Sequence, residues 1–201
     1  MTALASALLG YGIWLMARQS GLDFSPERIQ AELPGATDFT SNPRIMQARQ
    51  ALADWADEVP GPARPGQLRA VFSFLRFDDD DRTPVGIFST PRRALSMHLT
   101  LPADQPVDQE PEQIWTAFWA QAQRLQPGWG LLETFTALMM RYGWALPGTL
   151  EDEGTSVSEQ FKAVTALAHT LDPDHPDLLL VAGDLSGIQR MLYTVSATGA
   201  A

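Results

Sequence analysis

Apolar residues dominate the start of the chain, from Ala3 to Met16, and are interrupted by Ser6, Gly10 and Gly12. They do not fall on one stripe, so the pattern predicts a helix over 3–18 that is packed on most of its circumference. The stretch is shorter than the roughly 20 apolar residues a bilayer span requires. It also lacks the basic start and the cleavage site of a secretory signal. Gly21 and Pro26 then interrupt the pattern. From about Pro43 to Glu58, apolar residues return at helical spacing: Ile45, Ala48, Leu52, Trp55, Ala56 and Val59. Pro43 suits a first helical position. Arg49 and Asp54 fall outside the stripe and are expected to face water, and Pro60, Pro62 and Pro65 end the helix.

The period then changes. QLRAVFSFLRF, residues 67–77, partly alternates and is rich in Val and Phe, which reads as a strand. Val85–Ser89 and Ala94–Leu101 read as two more, and a small antiparallel sheet is the expected assembly. A proline- and acid-rich connection covers Leu101 to Pro111. A helix over about 112–125 follows, with Ile114, Trp115, Phe118, Trp119 and Ala122 on its apolar side. Pro127 and Gly128 separate it from another over about 131–142. Residues 147–155 read as a loop. Ser156, with Glu159 three residues on, predicts a capping box opening a helix to about Leu171. After DPDHPD, the run LLLVAGDL at 178–185 reads as a buried strand, and Ser186 opens a helix through Tyr193. The expected fold class is α+β. A mostly helical domain with a small antiparallel sheet spans 1–172, and a linker, strand and helix span 173–201.

Composition narrows the chemistry. The chain is 45% hydrophobic and 19% charged, which places it among globular proteins. It has no Cys, so disulfides and thiolate metal sites are excluded, which is compatible with a reducing cytoplasm. The net charge is −10, and such an acidic surface disfavours autonomous binding to phosphate backbones. The nearest basic groups, Arg64 with Arg69 and Arg92 with Arg93, read as solvated charges. The run Asp78–Asp81 offers oxygen ligands suited to Mg²⁺ or Ca²⁺, but its spacing fits no EF-hand and a solvated loop is the favoured reading. His98, His169 and His175 are never followed by Asp, and none has a second His three or four residues away. A metal-dependent HD-type hydrolase would therefore lack its ligands. No Gly-x-Ser-x-Gly elbow is present. The six tryptophans sit mostly in or beside apolar helical patterns, which favours core packing over base stacking. GDLSGIQ combines an Asp at a strand end with a small-residue turn and a helix start, an arrangement that suits nucleotide phosphates.

GDLSGIQRMLYTVSATGAA resembles the segment that opens the first Palm domain in the large subunit of type III CRISPR effector complexes. Gly183, Asp184, Ser186, Gly187, Ile188, Gln189, Tyr193, Gly199, Ala200 and Ala201 match that pattern. Leu185 replaces Ile, and Met191 stands where Phe is usual. RYGWALPGT, residues 141–149, is similar to the stretch before the last helix of that family's N-terminal domain. SVSEQFKAVTALA, residues 156–168, resembles that helix, with Ser156, Lys162, Ala166 and Ala168 matching. Glu159 and Gln160 stand there in place of an Asp-His pair. TPVGIFS, residues 83–89, resembles a strand of the same family. ALLGYG, residues 7–12, is similar to the start of the HD nuclease, with Gly10 and Tyr11 in place of the His-Asp pair.

The resemblance implies a parent with two activities, an HD single-stranded DNase and a Palm cyclase that makes cyclic oligoadenylate from ATP with a divalent metal. On that reading, 1–172 is a degenerate HD-like domain and 173–201 is a linker and the start of an incomplete Palm. By resemblance, Gly183, Asp184, Ser186, Gly187 and Gln189 are the nucleotide-binding residues. The His-Asp pair is missing and no Gly-Gly-Asp-Asp string occurs. The chain alone is therefore expected to have no catalytic residues, no cofactor and neither activity. The expected function is that of a truncated large subunit in antiviral defence, cytoplasmic and free of membrane. Its expected partners are other type III effector subunits and a complementary Palm-containing chain, with guide RNA contacted only indirectly. Two alternatives stay open: the nucleotide-binding half of a split cyclase, and an unrelated helical interaction domain.

Overall fold

The computed structural model describes residues 2–33, 35–54, 68, 92–95, 109–149 and 155–171. They form six α-helices: α1 Ala3–Gln19, α2 Pro26–Glu32, α3 Pro43–Ala53, α4 Pro111–Ala122, α5 Leu131–Gly143 and α6 Val157–Thr170. Local chemistry explains where they start. The side chains of Thr2, Ser25, Asn42 and Ser156 accept hydrogen bonds from first-turn amides of α1, α2, α3 and α6, which would otherwise lack partners. Pro26, Pro43 and Pro111 follow the caps of α2, α3 and α4, at positions where a missing N–H costs nothing. Before α5, Gly130 adopts φ +83°, a left-handed conformation that a side chain would strain.

The expected α+β class is corrected to a helical one: no strand occurs among the described residues, and the antiparallel bridge between Pro147 and Ser156 is isolated. Ala94 and Leu95, the start of the third expected strand, lie in no strand. The Leu95 N–H instead donates to the Arg141 carbonyl at 2.8 Å, so it serves the end of α5 rather than a ladder. Leu68 lies in no strand either. The other residues of the three expected strands, 67–101, lie outside the described residues, as do Asp78–Asp81, Arg64, Arg69, His98 and His175. The strand and helix expected over 178–193 lie outside them too, so no Palm strand is seen.

α1 is the centre of the packing. From Ser6 to Met16 every residue but Trp14 is buried, and α1 touches each of the other five helices. That matches the all-round burial expected from its unstriped apolar pattern. Its two glycines are contact points. Ser6 and Gly10 share a face, and the Thr37 N–H reaches in to donate to the Ser6 carbonyl at 3.0 Å. A Cβ at residue 10 would collide with the Thr37 carbonyl oxygen. At residue 12, a Cβ would lie 2.6 Å from Phe135 and 2.8 Å from Phe161, so Gly12 lets α5 and α6 approach. Rings continue from there through the core. Tyr11 stacks on Phe161 (6.4 Å between centroids), Phe161 meets Phe135 edge-on (5.5 Å), and Phe135 meets Phe118 (6.1 Å).

Candidate functional site

The buried polar residues Thr149, Ser156, Ser158 and Gln160 gather where α1, α6 and the segment before α6 meet. The Gly148 N–H donates to the Thr155 carbonyl (2.8 Å) and the Val157 N–H to the Leu146 carbonyl (2.9 Å), which clamps residues 146–149 beside the start of α6. The Thr149 N–H then points inward and donates to Gln160 Oε1 at 2.7 Å. Because that N–H can only donate, it fixes the carboxamide orientation. Gln160 Nε2 turns to Thr149 Oγ1 at 2.6 Å and to the Tyr11 hydroxyl at 3.4 Å. Tyr11, Thr149 and Gln160 are all buried.

The start of α6 holds the capping box expected from the sequence. Ser156 Oγ accepts from the Glu159 N–H at 3.2 Å, and Glu159 Oε2 accepts from the Ser156 N–H at 2.9 Å and its hydroxyl at 2.8 Å. The Ser158 hydroxyl lies 3.0 Å from Ser156 Oγ. The Glu159 carboxylate thus serves the helix end, and Gln160 points the other way, into the core.

These atoms limit the chemistry. A phenol, a carboxamide and a threonine hydroxyl are neutral at pH 7. They hydrogen-bond one another, with the Gln160 carboxamide donating to both hydroxyl oxygens. Among the described residues, no group of three or more His, Asp or Glu is placed to hold a metal ion. His169, on the last turn of α6, is exposed. Among the described residues, no helix is long and apolar enough to cross a membrane.

Gly10 and Tyr11, the pair standing in for His-Asp, and Glu159 and Gln160, the pair standing in for Asp-His, lie on α1 and α6, and one member of each meets the other. The residues read as nucleotide-binding, Gly183, Asp184, Ser186, Gly187 and Gln189, lie outside the described residues. Thr149, which fixes Gln160, carried no functional assignment. Its signal was its place at the end of RYGWALPGT, shortly before a helix cap. Comparisons with protein-family models, with curated proteins and with solved structures found no match.

Two surface readings change. Arg49 was expected to face water, yet it is only half-exposed and its guanidinium lies 5.1 Å over the Trp14 ring and 5.8 Å from that of Tyr11. Core packing, the reading favoured for the tryptophans as a group, does not hold for Trp129, which is fully exposed on the turn between α4 and α5. Trp115 is buried, Trp14 and Trp119 pack against the core, and Trp144 donates its Nε1–H to the Arg93 carbonyl at 2.7 Å. Trp55 lies outside the described residues.

Proposed function

We propose that this chain is a non-catalytic relative of the N-terminal part of the type III CRISPR large subunit. It serves assembly of a cytoplasmic antiviral effector rather than nuclease or cyclase chemistry. Its proposed partners are other effector subunits and a Palm-containing chain, and guide RNA is reached through them. The supporting observation is the contact between Tyr11 and Gln160 at 3.4 Å across 149 residues of sequence. The resemblance assigns an Asp to the first position and a His to the second. An imidazole and a carboxylate placed there could share a cation, whereas a phenol and a carboxamide share a hydrogen bond. Gly10, at the position of the pair's His, supports the same reading, because a side chain there would run into the Thr37 carbonyl.

Co-expression with type III effector subunits, followed by affinity capture and size-exclusion chromatography, tests the assembly role. Stoichiometric co-elution is expected; migration alone would overturn it. A manganese-dependent assay on single-stranded DNA tests the other half, with no turnover expected and robust turnover contradicting it. ATP binding that needs a Palm-containing partner and is lost in Asp184→Ala would replace this reading with that of a split cyclase.

A further inference from the structure

We draw no further inference here: the strongest candidate, the fully exposed Trp129 indole on the turn that leads into the uncapped amino end of α5, is a lone unpartnered apolar group beside a bare helix N-terminus, and nothing in the structure shows what covers it.

Discussion

At the residue scale, the tightest constraints come from groups that cannot grow or lose a polar atom. Gly10→Ala pits a gain in helix propensity of about 1 kcal/mol against a methyl group driven into the Thr37 backbone. Backbone moves less readily than a side-chain tip, and overpacking costs about 1–3 kcal/mol. Net destabilisation is expected in chemical denaturation, and a variant as stable as the parent would refute the close approach. Gln160→Leu keeps the volume roughly but leaves the buried Thr149 N–H without its acceptor. A loss of about 1–3 kcal/mol is expected, read by the same measurement. Asp38 tests the electrostatics at the surface. The Thr40 hydroxyl and then the Thr40 N–H donate to its carboxylate at 2.6 and 2.8 Å and hold its pKa below the usual value. A folded pKa below the unfolded one gives stability that is present above the unfolded value near 4 and fades as pH falls through the folded one. In Thr40→Val, the Asp38 carboxyl followed by NMR is expected to titrate higher; an unchanged titration would show that the hydroxyl has no influence.

At the scale of elements, legibility followed how much of the signal was local. α5 was readable from its apolar spacing, and α6 from spacing and a cap that lie within one segment: the capping box of Ser156 and Glu159 is visible in the sequence and present in the structure. Ser156→Ala removes the hydroxyl that accepts the Glu159 N–H, and a loss of about 1 kcal/mol is expected. Full retention of thermal stability would mean that α6 is held by packing alone. α2 went unread, although Ser25 and Pro26 form a normal helix start. With seven residues and Ile29 its one buried residue, it has no two-turn apolar stripe to detect. The glycines of α1 looked like interruptions because their partners, Thr37, Phe135 and Phe161, lie far along the chain. Arg49 was misjudged for the same reason, since the rings beneath it belong to α1 and to Phe39. The site was legible only as positions: the sequence marked residues 10, 11, 159 and 160, while the meeting of Tyr11 with Gln160 depends on how α1 and α6 pack.

At the scale of the molecule, α1 organises the described core. A helix that touches all five others cannot open without unseating each of them, so its local opening should cost as much as global unfolding. α2 is the opposite case, a short helix with one buried side chain, held partly by an exposed ion pair between Arg28 and Glu32 at 2.7 Å. Exposed pairs of that kind contribute about 0–1 kcal/mol, so little prevents α2 from opening on its own. Native-state hydrogen exchange separates the two. Amides from Leu8 to Met16 are expected to exchange last and to report one common opening free energy, which falls with denaturant in step with global unfolding. The Leu33 N–H, bonded to the Ile29 carbonyl at 2.9 Å, is expected to exchange through a smaller, nearly denaturant-independent opening. Gly12→Ala adds a sharper arm. The extra methyl group presses on Phe135 and Phe161 together, so protection in α1, α5 and α6 should fall by the same amount. A loss confined to α1 would show that the ring chain through Tyr11, Phe161 and Phe135 does not bind these helices into one cooperative unit.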